Sequence, residues 1–336
     1  MKAPAVVFPE PKRVEIREME LPEPGPDQVG IRTVCSGISQ GTERWAITGR
    51  YGHFDRDYSA YYPCSPGYQA AGVVEALGTG VEDLEVGDHA FTMGTHFVEP
   101  DHKYPGPCQA SHSGYLVAPR SGVWRVAPEV DLATASLFHM AGVSRHGVRL
   151  TKVEPGELVV VIGLGMIGQM SAQAARRAGA RVIAADLIPL RVELAAKHSA
   201  DRVVDATTES LEDAVREEAP DGADVVIDTT GDHRIFDRCL ELIHREGRIT
   251  MQGYYPDPIS IDFHPTHIQR PTVIFPCGWD DEFNDDLAED MATGRIAIEP
   301  LITHRIGYRD AAEAYELVVE HPERSLAMVL EWGEAS

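Results

Sequence analysis

The chain has 336 residues, enough for two domains, and its 43% hydrophobic and 25% charged residues are ordinary for a globular protein. Thirty basic against 53 acidic residues give a net charge of −23, which argues against nucleic acid and anionic membranes as partners. No apolar run is long enough to span a bilayer and the N-terminal segment lacks the apolar core of a signal peptide, so we expect a cytoplasmic protein.

The chain shows two successive patterns of predicted secondary structure. Residues 1–125 are predicted to be β-rich, because apolar runs such as QVGIRTV and AAGVVEAL are separated by Gly, Pro and Asp. From about Leu132 strands and helices alternate, beginning with the strand LVVVIGLG, the helix MIGQMSAQAARRAG and the strand RVIAAD. The pattern continues through PLRVELAAKHSA, RVVDA, LEDAVREEA, ADVVIDTT, the helix IFDRCLELIHRE and the strand GRITMQG. This alternation predicts a parallel, doubly wound sheet, followed by the helix YRDAAEAYELVVEH and the strand SLAMVLEW.

A glycine pattern, Gly163-x-Gly165-x-x-Gly168, lies between the first of these strands and its helix. Gly163 permits a tight turn, Gly165 lets the backbone approach a pyrophosphate, and Gly168 lets the helix pack closely on the strand. The helix N-terminus adds partial positive charge. This loop, with Met166 and Ile167 in it, is predicted to bind a dinucleotide.

An acidic residue after the second strand selects between the two nicotinamide dinucleotides. Asp186 lies where a carboxylate binds the adenosine ribose hydroxyls and repels the 2′-phosphate of NADP. The following LIPLR offers no immediate basic residue to offset that repulsion, so the sequence predicts NAD, with Arg191 closing over the adenine or ribose. The segments DTTG and QGYY follow later strands and are predicted to lie near the nicotinamide half, through Thr229, Thr230, Gly231, Gly253 and Tyr254.

Together with the first domain, these motifs resemble the medium-chain dehydrogenase/reductase superfamily of the alcohol dehydrogenase type. PGYQAAGVVEALGTGVEDLEVGDHAF is similar to its stretch from a Gly-His-Glu to a Gly-Asp-x-Val motif, SGISQGTERWAITGRY to its first catalytic loop, and PLITHRIGYRDAAEAYELV to its C-terminal segment. The resemblance implies an α/β fold with a GroES-like β-barrel catalytic domain (1–125), a Rossmann NAD-binding domain (126–280) and a C-terminal return to the catalytic domain (281–336). It also implies an active site in the cleft between the domains.

Within the superfamily, SGISQGTER is similar to a branch that includes bacteriochlorophyllide a dehydrogenase-type proteins. This likeness concerns the first domain and gives no basis for assigning a pigment substrate. Its use is that it directs attention to Thr42 and Glu43.

The positions that hold catalytic zinc in zinc-dependent members have changed. The resemblance aligns Ser39 (or Gln40, after a one-residue insertion), Tyr68, Gln69 and Met140 with the Cys, His, Glu and second Cys of those members. A hydroxyl, a phenol, an amide and a thioether are poor zinc ligands, so we expect no metal.

The four-cysteine structural lobe of the family is replaced by GTHFVEPDHKYPGPCQASHSG. We expect this loop to cover substrate or face another subunit, because its candidate ligands match no standard metal spacing: His96, His102, Cys108 and His112. The five cysteines form no CxxC pair, which argues against a disulfide framework and a thiolate zinc site.

Without a metal, hydrogen-bond donors and a general base must act on the substrate oxygen. Tyr68 is predicted to donate a hydrogen bond to a carbonyl or alkoxide, with Ser39 beside it. Glu43 is predicted to act as base or relay, with Thr42 between it and solvent or substrate. The alternative for Glu43 is structural, bracing a backbone turn or pairing with a neighbouring arginine, Arg44 or Arg50.

Further candidates are more distant from these motifs. His146 and Arg145, in a predicted loop before the Rossmann domain, are candidates for proton exit or cofactor contact, and His139 for lining the cleft. The aromatic run YGHFDRDYSAYYP (51–63) is either part of a substrate pocket or a surface loop.

These features favour an NAD-dependent, zinc-independent dehydrogenase or ketone reductase that transfers a hydride between nicotinamide and a secondary alcohol or ketone, with a polar, sugar-, polyol- or cyclitol-like substrate. Alternatives are a zinc-free quinone or enoyl reductase, a redox-neutral NAD-dependent epimerase, and a non-catalytic dinucleotide-binding protein. By analogy with the family we expect a homodimer or homotetramer, with the strand around PTVIFPCGW as an interface. Five Lys against 25 Arg in an acidic chain fits either a salt-adapted source or a GC-rich genome.

Overall fold

The computed structural model describes residues 1–51, 62–99, 102–105, 108–278 and 284–333. Most of the aromatic run 51–63 lies outside these residues. The chain divides into two compact units, one formed by Met1–His139 with Glu282–Ser336 and the other by Met140–Asp281.

The strands and helices are numbered along the described part of the chain. The strands are β1 (Lys2–Val7), β2 (Glu15–Glu20), β3 (Gln28–Ile38), β4 (Ala70–Leu77), β5 (His89–Thr92), β6 (Tyr115–Pro119), β7 (Val123–Arg125), β8 (Leu158–Ile162), β9 (Arg181–Asp186), β10 (Arg202–Asp205), β11 (Ala223–Asp228), β12 (Ile243–Met251), β13 (Thr272–Ile274), β14 (Ile302–Gly307) and β15 (Ala327–Glu331). The helices are α1 (Thr42–Ile47), α2 (Leu132–Ala135), α3 (Phe138–Thr151), α4 (Met166–Arg177), α5 (Pro189–His198), α6 (Leu211–Glu218), α7 (Phe236–Leu242), α8 (Phe263–Gln269), α9 (Asn284–Ala292) and α10 (Ala311–Glu320).

The first unit is built around a mainly antiparallel sheet with the strand order β14-β15-β3-β4-β5-β7, and β6 also pairs with β3. The C-terminal strand β15 lies beside β3, so Met328 pairs with Ile38 at the end of β3. One of its cores packs Val6, Phe8 and Ile38 against the buried face of α10. The loop after β3, which carries the predicted catalytic residues, is therefore anchored to the C-terminal segment.

The second unit is a six-stranded parallel sheet with the strand order β10-β9-β8-β11-β12-β13. All five residues of β8 are buried, as expected for a Val-rich strand covered on both faces. The chain order reverses between β8 and β11, and in such sheets ligands bind beyond the carboxyl ends of the strands at this point. The predicted fold class, a GroES-like domain with a parallel Rossmann sheet, is confirmed.

Two local predictions were wrong. The helix predicted over IFDRCLELIHRE ends at Leu242, because Ile243 pairs with Ala223 and begins β12. His146 and Arg145 lie in the helix α3 and not in a loop. Met140, Ser144 and Val148 are buried at a spacing of four residues, which gives α3 the packed face that a helix needs.

None of the helices in the described ranges has the length and apolar character that crossing a membrane requires.

Candidate functional site

The glycine loop after β8 has the geometry that its sequence predicts. Gly163 adopts φ +86°, a left-handed conformation that side chains disfavour. A Cβ on Gly168 would lie 1.9 Å from the carbonyl oxygen of Gly163, so the helix packs on the strand too closely for any side chain at this position. At Gly165 the space is open, and the nearest atom to an added Cβ is a guanidinium nitrogen of Arg191 at 4.0 Å.

This loop fits a bound pyrophosphate. Gly165 is the N-cap of α4, and among the described residues no side chain caps that helix end. The first backbone N–H groups of a helix have no partner within it, so those of Met166, Ile167 and Gly168 can donate to an anion. The residues present therefore suit the dinucleotide that the sequence predicts.

Asp186 and Arg191 lie together beside the glycine loop. The Asp186 carboxylate accepts hydrogen bonds from the backbone N–H groups of Leu164 (2.6 Å), Leu187 (2.7 Å) and Ile188 (2.9 Å). A guanidinium nitrogen of Arg191 lies 3.8 Å from Asp186 Oδ2. The sequence shows no basic residue immediately after Asp186 and predicts that Arg191 closes over the adenine or ribose; the first turn of α5 brings Arg191 toward the carboxylate.

The loops after β11 and β12 also meet at this end of the sheet. Thr229 donates to the carbonyl oxygen of Gly163 over 2.8 Å, which ties the DTTG loop to the glycine loop. Gly231 has φ +72°, and an added Cβ would lie 2.7 Å from the carbonyl oxygen of Tyr254. A Cβ on Gly253 would lie 2.8 Å from the Gly231 nitrogen, so QGYY and DTTG are in contact.

Beneath these loops lies a buried carboxyl group, Asp228. Tyr255 donates its phenolic hydrogen to Asp228 Oδ2 over 2.5 Å, and the Thr230 hydroxyl donates to Oδ1 over 2.9 Å. Burial outweighs these two hydrogen bonds and raises the pKa of Asp228 to about 6. The hydrogen bond to the buried Asp228 carboxyl therefore fixes the position of Thr230, a predicted cofactor residue.

In the first unit, the structure brings together three hydroxyl groups of the predicted catalytic set. The Tyr68 phenol donates to Ser39 Oγ over 2.5 Å, and both side chains are buried. Thr42, at the start of α1, hydrogen-bonds the same phenol and is half-buried. Burial is the largest influence on Tyr68 and raises the pKa of its phenol, so the group stays protonated at neutral pH.

Glu43 is fully buried, and its carboxylate accepts three hydrogen bonds. Oε1 accepts from the Ser39 backbone N–H at 2.8 Å, while Oε2 accepts from His112 Nε2 at 3.0 Å and from the Tyr315 hydroxyl. The sequence left two roles open for Glu43, base or brace, and these contacts support the brace. The partners are the Ser39 loop, His112 and Tyr315, and the two neighbouring arginines are not among these three.

The donor set at the family's zinc positions does not fit zinc. Ser39 and Tyr68 are hydrogen-bonded to each other, Tyr68 stays protonated, and Gln69 directs its amide toward the carbonyl oxygen of Gly37. Gln40, the alternative to Ser39, donates its amide to Ser325 Oγ at 2.9 Å. Zinc in proteins takes thiolate, imidazole or carboxylate ligands, and none of these groups stands at the four positions. Across the described ranges, no group of three or more His, Cys, Asp and Glu side chains has a metal-binding arrangement.

The two remaining candidates are the histidines of α3, His139 and His146. His146, half-buried in α3, lies 3.4 Å from Arg149, its neighbour one helical turn away. The ring of His139 lies against Tyr68, with centroids 4.5 Å apart, and burial lowers its pKa to about 3, so it is uncharged at neutral pH. His139 is therefore in contact with Tyr68, a member of the predicted catalytic set.

Two residues of this site were missed by sequence reasoning. His112 was considered only as a metal ligand in a covering loop, but it is fully buried and contacts Glu43. Its neighbours in the chain, Ala110, Ser111 and Ser113, are also fully buried. Tyr315 was read only as part of a C-terminal helix. The sole sequence signal was indirect: the acidic residue of GTE needs buried donors, and the sequence cannot show which residues supply them.

Two family patterns match the chain. Residues 25–128 match the alcohol dehydrogenase GroES-like domain, and residues 167–291 match the zinc-binding dehydrogenase family.

Curated relatives align over nearly the whole chain. The chain is 27% identical to 2-desacetyl-2-hydroxyethyl bacteriochlorophyllide A dehydrogenase of Cereibacter sphaeroides, over 99% of both chains. It is 26% identical to L-threonine 3-dehydrogenase of Pyrococcus abyssi, over 90% of this chain and 91% of the relative. It is also 26% identical to L-galactonate-5-dehydrogenase of Escherichia coli, over 93% and 94% of the two chains. The likeness to the bacteriochlorophyllide branch, which the sequence confined to the first domain, thus extends over the chain.

Solved structures share the fold. An Escherichia coli oxidoreductase of unknown specificity superposes with a TM-score of 0.87 at 23% identity, over 98% of this chain and 99% of the other. A Sinorhizobium meliloti protein bound to NADP has a TM-score of 0.83 at 21% identity, with the same coverage. An Escherichia coli alcohol dehydrogenase complexed with NADH has a TM-score of 0.82 at 20% identity, again with that coverage.

Proposed function

Because the chain belongs to the medium-chain zinc-type alcohol dehydrogenase superfamily, distantly related to bacteriochlorophyllide a dehydrogenase, we propose that it is a zinc-independent, NAD(H)-dependent oxidoreductase of secondary alcohols and ketones. The observation that carries this proposal is the 2.5 Å hydrogen bond from Tyr68 to Ser39. Two hydroxyl groups bond each other where zinc-dependent members have metal ligands, so hydrogen bonding takes the place of a Lewis acid.

The three hydroxyl groups form a directed chain. Thr42 donates to the Tyr68 oxygen, and Tyr68 donates to Ser39 Oγ. Ser39 keeps its own hydrogen, which is available for a substrate oxygen, and each donor in such a chain strengthens the next. A nicotinamide cofactor, when bound, would supply or accept the hydride. The role of the hydroxyl chain is to polarise a carbonyl oxygen and deliver a proton to it, with half-buried Thr42 as the route to solvent.

At neutral pH this arrangement favours ketone reduction over alcohol oxidation. Because burial raises its pKa, Tyr68 is a hydrogen-bond donor at neutral pH and a poor proton acceptor. In ketone reduction, Ser39 gives its hydrogen to the substrate oxygen and the protonated phenol of Tyr68 replaces it. Alcohol oxidation needs a group that accepts the hydroxyl proton, so we expect oxidation to gain more than reduction as the pH rises.

NAD is the proposed cofactor, whereas the superfamily as a whole uses NAD or NADP. The Asp186 carboxylate supports NAD because it would repel a 2′-phosphate, even though Arg191 lies 3.8 Å away. Among structures of the same fold, one holds NADP and another NADH. Fluorescence titration with NADH and NADPH decides between them, and tighter binding of NADPH would refute the proposal.

A polar substrate of the sugar or polyol class is proposed. The support is that the curated relatives include L-galactonate-5-dehydrogenase and L-threonine 3-dehydrogenase, both named for polar substrates. A panel of polyols, sugar acids and their ketones, with quinones and enones for comparison, tests the reaction class. Turnover of enones alone would favour the reductase alternative, and cofactor binding without any turnover would favour a non-catalytic protein.

The catalytic assignment is tested with Tyr68→Phe and Ser39→Ala. Each variant removes one hydroxyl of the chain, and we expect about a 10²- to 10⁴-fold loss of kcat with little change in NADH affinity. Ser113→Ala is the matched control, since its buried hydroxyl has no hydrogen-bond partner within the described residues. Full activity in both variants, or near-stoichiometric zinc in the purified protein, would overturn the mechanism.

We also propose a homodimer or homotetramer that uses the end strand β13 as an interface. β13 is last in the described order of the six-stranded sheet, and every residue of the adjoining α8 is at least partly exposed. Three apolar side chains stand out in this region, with exposed fractions of 76% for Phe263, 54% for Ile268 and 59% for Phe275. Exposed apolar side chains beside a sheet edge favour contact with a second copy of the chain.

A further inference from the structure

We infer that His112 is a positioning residue for the Ser39–Tyr68 pair, acting through Glu43. The inference rests on the proposed function for its catalytic consequence, but its geometric part is independent of any substrate. It assigns a role to a residue that lies 73 positions beyond Ser39 and touches neither reacting group in the proposed mechanism.

His112 is held in place by its own hydrogen bonds. Its Nδ1 lies 2.7 Å from Ser36 Oγ, and its Nε2 lies 3.0 Å from Glu43 Oε2. Ser36 in turn accepts a hydrogen bond of 2.8 Å from the indole nitrogen of Trp332. The side chains of Ser36, Glu43 and His112 are fully buried, so solvent cannot replace any of these bonds.

The hydrogen-bond partners of His112 indicate which of its ring nitrogens carries the hydrogen. An indole N–H can only donate, so Ser36 Oγ accepts from Trp332 and can give its own hydrogen to His112 Nδ1. We therefore assign the imidazole hydrogen to Nε2, which donates to the Glu43 carboxylate. In this assignment every donor and acceptor from the Trp332 indole to the Glu43 carboxylate has a partner.

Glu43 transmits this constraint to Ser39. The carboxylate accepts the backbone N–H of Ser39 at 2.8 Å, and the backbone N–H of Glu43 donates to the carbonyl oxygen of Ser39 at 2.9 Å. Both backbone groups of Ser39 are thus fixed by one residue. The position of Ser39 Oγ, and with it the 2.5 Å bond from Tyr68, depends on where the Glu43 carboxylate is held.

The imidazole ring also lies against the backbone at Gly67, the residue before Tyr68. Gly67, which precedes Tyr68, has φ +87°, and an added Cβ would lie 2.8 Å from His112 Cδ2. The ring therefore packs against the backbone that leads into Tyr68, while its Nε2 holds the residue that fixes Ser39. One side chain sets both ends of the hydroxyl pair.

Because a misplacement of about 1 Å can cost about 10²-fold in rate, we expect His112→Leu to lower kcat about 100-fold. NADH affinity should not change, because the predicted cofactor residues belong to the other unit of the chain. His112→Gln keeps an N–H donor that can reach Glu43 and should recover most of the lost rate. A purely structural role would lower the melting temperature and the active fraction of both variants without this difference.

A readout without turnover comes from the full chain labelled with 13Cζ-tyrosine. The Tyr68 resonance is identified by its absence from Tyr68→Phe, and Ser39→Ala gives its position when the hydrogen bond to Ser39 is lost. We expect the resonance in His112→Leu to move toward the Ser39→Ala position. It should stay near the wild-type position in His112→Gln and in the control Ser113→Ala.

If His112→Leu does not fold, Glu43→Gln serves instead. It keeps the volume of the side chain and replaces one acceptor oxygen of the carboxylate by an amide NH₂ group. We expect the same displacement of the Tyr68 resonance in this variant. A Tyr68 resonance at the wild-type position in the folded variant would overturn the inference, whether or not a substrate is turned over. A displaced resonance in a chain that turns over no substrate would support the positioning role and count against the proposed function.

Discussion

The buried carboxyl group of Asp228 should make the stability of the nucleotide-binding unit pH-dependent. The side chain is fully buried at the carboxyl end of β11, with hydrogen bonds from Tyr255 and Thr230. Burial raises its pKa from 3.8 to about 6, although both hydrogen bonds act in the opposite direction. The folded protein therefore binds a proton at Asp228 more tightly than the unfolded chain does.

The sign and size of the effect follow from this shift. A raised pKa in the folded state gives a contribution to stability that is complete below the unfolded pKa, near 3.8, and is lost as the pH rises through about 6. A difference of about two pKa units corresponds to about 3 kcal/mol of unfolding free energy. Asp228→Asn cannot titrate, so its stability relative to wild type should improve by up to about 3 kcal/mol between about pH 4 and pH 7.

The measurement is urea unfolding of wild type and Asp228→Asn, followed by circular dichroism at several pH values across that window. Any constant offset from altered hydrogen bonds to Thr230 cancels when the two pH dependences are compared. Tyr255→Phe sharpens the test: it removes a hydrogen bond that lowers the pKa of Asp228, so the loss of stability should move to higher pH. Parallel stability curves for wild type and Asp228→Asn would refute the reasoning.

Three further outcomes are expected. Gly168→Ala should destabilise the fold by about 1–3 kcal/mol, because its Cβ would lie 1.9 Å from the Gly163 oxygen. Gly165→Ala should unfold like wild type in a thermal melt and bind NADH more weakly, and equal melting temperatures for the two variants would contradict this reasoning. Phe263→Glu should yield monomers in light scattering, while Val86→Glu, a control that is 65% exposed in the other unit, should not; an unchanged mass for Phe263→Glu would place the interface elsewhere. Because of the net charge of −23, the melting temperature should rise in molar KCl as salt screens the repulsion between acidic groups, and a fall would argue against salt adaptation.

The nucleotide-binding unit could be predicted from sequence because its signals are local. The apolar run before Gly163 reads as a buried strand, the glycine spacing requires a specific turn, and the next strand ends at Asp186. Each of these depends on residues within about 25 positions of one another, so no knowledge of distant contacts is needed. The prediction failed where strand pairing overrode the helical pattern of the residues, as at Ile243, which pairs with Ala223 and ends the helix early.

The sequence by itself determined the parallel sheet with its helices and the glycine loop, since these follow from the order of residue types, and the family resemblance identified the hydroxyl residues at the altered metal positions. The tertiary structure alone decided what surrounds Glu43: His112 and Tyr315 reach it across 69 and 272 positions of chain. A buried carboxylate must have donors, but any of several distant side chains would satisfy it. Which of them does so depends on how strands and loops pack, and that packing is a property of the whole unit.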